Sequence, residues 1–420
     1  MNLALFLCYY FPPLGGGGVQ RNTKFAKYLP ENGWSAFVVA AKPNPRNIIE
    51  QGLDTSLLPE TQNAKLIVRC RSFEFSYLYR WLYRLGVRKA LIELERLVPF
   101  LYATYKTGWY LPALIEAEKL LSKYPIKAIY SSSPPHSAHF VARTLQSRHG
   151  LPWIADFRDP WTALATYNPP TTIHRALEAR LERMILTHAN AVIANTPANR
   201  SNLLEKYGLD QNKIVVIPNG FDPADFRQLE DTRYNPSHFV ISCLGNFYDM
   251  REGECVFRAF RAFSERHPNV FLRLYGWQAK RVRASLQSIL IEGTWTVSAK
   301  RVDHSGAVQI MKNSAILLLN VPNERAGHWV PGKLYEYLGA DRPIMFIGPK
   351  NGDAADILRR TRAGQIVGFD LDEIQRGLES CYVDWCKRFP DWDPDRAEIA
   401  RFDRRLQAAQ LAELFNAVVK

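Results

Sequence analysis

The chain has 420 residues, 47% of them hydrophobic and 23% charged, with a formal net charge of +13. A single hydrophobic core stops growing well short of that length, so two domains of roughly 200 residues each are expected, and wholesale disorder is excluded. The basic balance points to anionic partners; nucleic acid is the weakest of them, because the sequence has no zinc-finger spacing, no aromatic-basic box and no long Lys/Arg run.

The first run, MNLALFLCYYFPP, is apolar but too short to span a bilayer, and it lacks the basic leader and cleavage site of a signal peptide. It reads as a buried strand, Asn2–Cys8. Further strand-like runs are Ser35–Ala41, Lys65–Val68, Lys127–Ser131, Trp153–Ala155, Ala191–Ala194 and Lys213–Ile217. Helical patterns lie between them, as at Val19–Asn32, Ser137–Arg148, Ile173–Thr187 and Ala198–Tyr207. Continuous apolar strands separated by helices predict a parallel sheet covered on both faces.

The segment Ser72–Pro112 breaks this rhythm. It sets Phe73, Phe75, Tyr77, Tyr79, Trp81 and Tyr83 beside Arg80, Arg84, Arg88 and Lys89. Aromatic plus basic character suits an anionic lipid surface or a helical insertion packed on its own domain.

Pro218-Asn219-Gly220-Phe221-Asp222 interrupts the pattern, and a polar stretch runs on to His238. The rhythm then restarts with strand His238–Leu244, helix Glu252–Arg266 and strand Val270–Tyr275, followed by strands Ala315–Asn320, Pro343–Ile347 and Gly364–Val367. The expected division is a first domain over 1–222, with 72–112 as its aromatic and basic insertion, a second over 238–395, and one amphipathic C-terminal helix over 396–420.

Six scattered cysteines, none in a CxxC pair, read as buried free thiols in a reducing cytosol rather than a disulfide framework or a zinc site. No later stretch approaches a membrane span. A cytoplasmic chain, at most resting on a membrane surface, is expected.

In open parallel sheets ligands bind at the carboxyl ends of the strands, and between two such domains the cleft is the default site. The first strand ends in Gly15, Gly16, Gly17 and Gly18 before a helix near Val19. Glycines let the backbone approach a ligand, and a helix start offers N–H groups to an anion such as a diphosphate. The pattern is not GxGxxG, and no acid ends the second strand, which argues against a nicotinamide dinucleotide.

Ser132-Ser133-Pro134-Pro135-His136 follows the strand Lys127–Ser131 and sets His136 at a helix start, where it can contact a hydroxyl or phosphate; a packing role is the alternative. Asp156-Phe157-Arg158-Asp159 follows the strand Trp153–Ala155. Asp159 can orient or deprotonate an acceptor hydroxyl, and Arg158 can steady charge on a leaving phosphate, with a structural salt bridge as the rival reading.

In the second half, Gly245 ends a strand and Arg251 lies near a helix start, placed to hold a donor phosphate. The most specific stretch is Trp329–Ile344. Pro331 and Gly332 open a short helix, Lys333 adds a cation, Leu334 lies in the first turn and Glu336 follows one turn on. Amides and ammonium make a phosphate seat, and the carboxylate can accept both hydroxyls of a ribose.

These residues resemble the GT4-like family of GT-B glycosyltransferases over nearly the whole chain. The resemblance implies an α/β fold of two Rossmann-like doubly wound domains facing a cleft, the first binding the acceptor and the second the nucleotide sugar. Pro218–Asp222 looks like the family's hinge motif, and Gly332–Ile344 looks like its donor-binding helix, with Glu336 as the ribose glutamate. The activity implied is retaining transfer from a nucleotide-diphosphate sugar to a glycan, lipid-linked or small-molecule hydroxyl, in polysaccharide or glycolipid synthesis at the inner membrane face. The departing diphosphate would itself assist the acceptor.

Four positions depart from the family pattern. Asn246 and Glu252 stand where an Arg and a Lys usually hold the diphosphate, leaving that work to Arg251 and Lys333. His328 stands where the first acid of the family's glutamate pair belongs, and Arg158 replaces a first-domain histidine. The alternative reading is therefore a non-catalytic GT-B scaffold subunit of a polysaccharide assembly complex. No metal or other cofactor is expected, since neither Asp393-Pro394-Asp395 nor Asp156–Asp159 is laid out for Mg²⁺ at the donor side.

Overall fold

The apolar runs build two parallel sheets, seen in a computed structural model that describes residues 1–72, 106–163, 167–169, 171–227, 237–247, 250–276, 278–298, 302–322, 329–389 and 392–419. The first sheet contains β1 (Asn2–Leu7), β2 (Trp34–Ala41), β3 (Leu66–Cys70), β4 (Ile126–Ser133), β5 (Trp153–Phe157), β6 (Ala191–Ala194) and β7 (Ile214–Val216), in the order β3-β2-β1-β4-β5-β6-β7. The second contains β8 (Phe239–Leu244), β9 (Val270–Tyr275), β10 (Trp295–Ser298), β11 (Ile316–Asn320), β12 (Ile344–Ile347) and β13 (Gly364–Val367), in the order β10-β9-β8-β11-β12-β13. Both orders reverse direction after the first strand, the doubly wound arrangement that opens a ligand crevice at the carboxyl ends of the two central strands.

Strand residues alternate between faces, and both faces are buried. Along β1, Leu5 and Leu7 pack with Ala113, Leu114 and Val141 of the helices Tyr110–Lys123 and Ser137–His149. Ala4 and Phe6 pack on the other face with Phe25 of helix Gly17–Tyr28 and with Leu411 and Phe415 of helix Arg404–Val418. In the second sheet Phe239, Ile241 and Cys243 face the helices Met250–Arg266 and Leu371–Cys386. Leu317, Leu319, Ile344 and Phe346 face the helices His304–Lys312, Gly332–Gly339 and Asp353–Thr361.

The chain divides into two units, Met1–Asn219 with Arg404–Lys420, and Gly220–Asp403. The tail differs from the single long helix expected. It forms Arg396–Ala400 and Arg404–Val418, broken at 401–403, where Phe402 packs on Tyr335 and its carbonyl accepts from the Phe221 N–H at 3.0 Å. The last helix then joins the first unit, where the Trp34 indole donates to Asn416 at 2.9 Å.

β10 was not expected from the sequence. It is a four-residue edge strand with no fully buried residue, so it lacks a continuous apolar run. Residues 73–105 of the aromatic and basic segment lie outside the described residues, and with them both readings of that segment. Among the described residues no helix is long and apolar enough to cross a membrane. All six cysteines are free; Cys8, Cys70, Cys243 and Cys381 are buried, Cys255 is half-buried and Cys386 is exposed.

Candidate active site

In the first unit the direction of winding changes between β1 and β4, so the loops after β1, β4 and β5 meet at one place. The helix Gly17–Tyr28 begins here, preceded by Gly16 at φ 90°, a conformation that favours glycine. The four glycines have different neighbours. A Cβ at Gly15 would lie 3.0 Å from the Gln51 carbonyl, and one at Gly16 2.3 Å from Gln51 Oε1. These two are packed against the chain at 51–54. A Cβ at Gly17 would meet nothing within 4 Å among the described residues, and one at Gly18 would lie 2.4 Å from Arg158 Nη1.

Arg158 leaves the end of β5 and is 7% exposed. Its Nε donates to Ser133 O at 3.1 Å and its Nη2 to Pro134 O at 2.6 Å. The β4 loop thus holds the guanidinium across the first turn of the glycine helix. First-turn amides and a fixed cation can together hold an anion.

Asp156 has a different role from the loop carboxylate expected. β5 runs on through it, and its carboxylate is fully buried against Arg21 at 2.7 and 3.1 Å and accepts from the Tyr130 hydroxyl. Arg21 also donates to the carbonyls of Ile217 and Pro218, fastening the helix, β5 and the end of β7 together. Asp159 is half-buried beyond it. Burial raises its carboxyl above the usual range, against the opposing pull of the Arg158 guanidinium. That direction suits a group that takes up a proton.

His136 caps the helix Ser137–His149, with its ring stacked on Trp161 at 3.8 Å and 11°. Burial, reinforced by Arg158, pushes it down to about 3, so it is neutral near pH 7 and suited to giving or accepting a hydrogen bond rather than carrying a proton. Its Nδ1 has no hydrogen-bond partner among the described residues, and neither do the hydroxyls of Ser132, Ser133 and Ser137 around it.

In the second unit the corresponding change of winding lies between β8 and β11, and the short helix Gly332–Gly339 is anchored there. The Tyr337 hydroxyl accepts from the Leu244 N–H at 2.9 Å and donates to Leu318 O at 3.3 Å, tying the helix to β8 and β11. Pro331 is the residue before the first turn, and a Cβ at Gly332 would meet nothing within 4 Å among the described residues. Lys333 stands at the helix start and donates to the carboxylate of Glu336, which is 5% exposed.

Leu334 meets this helix start with its backbone alone. Its side chain is fully buried in the core and its N–H donates to Pro331 O at 3.0 Å, because the position falls on the inner stripe of the helix. Gly245 has its N–H bonded to Tyr275 O at 2.9 Å and its carbonyl to Gln278 at 2.8 Å, so only its lack of a side chain is on offer. Arg251 lies in the first turn of Met250–Arg266; its side chain, that of Glu252, and the whole of His328 lie outside the described residues.

Three groups here were not picked out from the sequence. Asn320 ends β11, is 7% exposed, and neither end of its amide has a hydrogen-bond partner among the described residues. His304 opens the helix His304–Lys312, with Nε2 2.8 Å from Asp225 Oδ2 and Nδ1 3.7 Å from Glu336 Oε1.

Residues 16–220 match the glycosyl transferase 4-like domain family. They belong to it. The domain covers the glycine loop, His136, Arg158 and Asp159, and ends at the boundary between the units.

A D-inositol 3-phosphate glycosyltransferase of Nocardia farcinica is 25% identical over 118 residues, which is 27% of this chain and 26% of the relative's own length. Beyond the glycosyl transferase 4-like domain, the whole chain has the GT-B fold. It is similar to the sucrose-phosphate synthase structure from Thermosynechococcus elongatus, with a TM-score of 0.68, 15% identity and 99% and 98% of the two chains covered. It is also similar to HepE from Anabaena in complex with UDP and glucose, with a TM-score of 0.65, 15% identity and 99% and 100% covered.

Gly18, within the domain, is the glycine of this run that faces the Arg158 guanidinium. Its signal was present in the sequence only as a fourth glycine; the reason for it is Arg158, far along the chain.

Proposed function

We propose that the chain is a glycosyltransferase that moves a sugar from a nucleotide-diphosphate donor to an acceptor hydroxyl. The observation that carries this reading is the start of the helix Gly332–Gly339. A cation and a buried carboxylate stand together there, on a helix fastened to the two central strands by Tyr337. The helix start and Lys333 would take the diphosphate, with Arg251 as a further cation, and Glu336 would accept from the ribose hydroxyls. That HepE is seen with UDP and glucose on the same fold supports a nucleotide sugar as the donor.

In the reaction the acceptor oxygen bonds to the anomeric carbon, the bond from that carbon to the diphosphate oxygen breaks, and the acceptor proton leaves with the nucleoside diphosphate. Arg158 and the helix at Gly17 would steady charge in the first unit. Asp159 would hold the acceptor hydroxyl, and neutral His136 would donate or accept one hydrogen bond. Retention of configuration, independence from metal, and a glycan or lipid-linked acceptor in polysaccharide or glycolipid synthesis are parts of the same proposal. So is residence in the cytoplasm or on the inner membrane face.

The test is transfer itself. Purified protein is screened against UDP- and GDP-sugars for thermal stabilisation, which a ligand bound only to the native state produces. The stabilising donor is then assayed with saccharide and polyprenyl-linked acceptors in EDTA. Transfer in EDTA supports the reading. Donor binding without transfer to any acceptor favours the scaffold alternative, which Glu252 and His328 motivate, and loss of all turnover in EDTA overturns metal independence.

A further inference from the structure

We propose that His304 is a positioning residue of the donor site: fixed by Asp225, its imidazole holds the Glu336 carboxylate in place for the ribose. The inference rests on the reading of Glu336 as the ribose-binding group. A carboxylate as buried as this one is costly unless it is paired. Lys333 meets that need at Oε2, but Lys333 is also the cation for which a diphosphate competes. On the other oxygen the facing group is His304, with Nδ1 3.7 Å from Oε1.

The imidazole is held by Asp225, and the helix that carries it is fastened at both ends. The ring Nε2 lies 2.8 Å from Asp225 Oδ2. Asp225 belongs to the turn Pro223–Arg227, which begins where the Asp222 carboxylate accepts from the Ala224 N–H at 2.9 Å. The next residue, Phe226, packs in the same core as the helix His304–Lys312, and its carbonyl accepts from Lys312 Nζ at 3.2 Å. Asp303 caps the start of that helix by accepting from the Gly306 N–H at 2.8 Å. Both ends of the helix are thereby fastened, and the ring stands between two carboxylates with one nitrogen toward each. A ring oriented by one carboxylate can in turn orient a second group, as outer partners orient ligating side chains elsewhere.

The role is separable from general packing by the part of the nucleotide it serves. The experiment is calorimetric titration of the full chain, and of His304→Gln and Glu336→Ala, with UDP and 2′,3′-dideoxy-UDP, or with the GDP pair if GDP binds more tightly. Glutamine can reach Asp225 but not Glu336.

The expected result is a loss of about tenfold in UDP affinity for His304→Gln, with less than about twofold for the dideoxy nucleotide, as one weakened hydrogen bond to ribose implies. Equal losses for both nucleotides, or no loss for UDP, overturn the positioning role. If Glu336→Ala leaves UDP affinity unchanged, the ribose assignment fails and the inference with it. If Glu336→Ala weakens UDP and His304→Gln does not, only the inference fails. A parent chain that binds neither UDP nor GDP overturns both.

Discussion

Lys333 and Glu336 are bonded to each other across one turn at the start of the helix Gly332–Gly339. The cation read as the diphosphate ligand and the acid read as the ribose ligand thus form one unit, and a nucleotide diphosphate has to draw them apart. Lys333→Met is expected to lower UDP affinity by about tenfold to a hundredfold, the range for a lost charged hydrogen bond, with little effect on uridine. Calorimetry with the two ligands checks this, and an equal loss for uridine would move Lys333 away from the phosphates.

Gly18 is the second position at which the account is exposed. A methyl group there would lie 2.4 Å from Arg158 Nη1, while the rest of that guanidinium is held by Ser133 and Pro134. Gly18→Ala should displace the guanidinium and cut kcat/KM by tenfold or more, about 1.4 kcal/mol or above, with a melting point within a few degrees of the parent. A fall in melting point with unchanged kcat/KM would make the Arg158 contact structural.

Asn320 carries a buried amide with no hydrogen-bond partner among the described residues, at the end of a central strand. Replacing an unsatisfied polar group by an apolar one of similar size removes a cost of about 1–3 kcal/mol. Asn320→Leu should therefore be as stable as the parent or more so in urea denaturation, while KM for the sugar nucleotide rises. Lower stability with unchanged KM would assign the amide to the core instead.

His136 and His139 make stability depend on pH in one direction. Burial lowers both rings from an ordinary value near 6.5, His136 to about 3. The unfolded chain takes up protons below about 6.5 that the folded chain refuses until far lower pH, so stability is intact above that value and falls as pH drops through the window between about 6.5 and 3. Each such histidine adds a slope of up to about 1.4 kcal/mol per pH unit. His136→Phe, which keeps a ring against Trp161, should flatten the urea midpoint against pH between 6 and 5, and an unchanged slope would contradict the buried neutral imidazole.

The central strands were readable because each is buried on both faces and written as an unbroken apolar run. β10 was not, since an edge strand with partly exposed residues carries no such run. The site was readable where its groups are close in sequence, as with Lys333 and Glu336. It was not readable where they are distant. Arg21 and Asp156 are 135 positions apart, and Asp225 and His304 are 79 apart, so nothing local announces either pair. The burial of the Leu334 side chain was not readable for a related reason: a helix open at its start still needs an inner stripe, and the fold decides which residue supplies it.

The proposed function stands or falls with nucleotide diphosphate binding by Lys333 and Glu336 at the helix opening after Pro331. The most direct measurement is the affinity of Glu336→Ala for the donor nucleotide by titration calorimetry, beside a parent chain that binds it saturably. The account predicts a loss of at least about tenfold, with the folded state intact by circular dichroism. A variant that binds as tightly as the parent would contradict it.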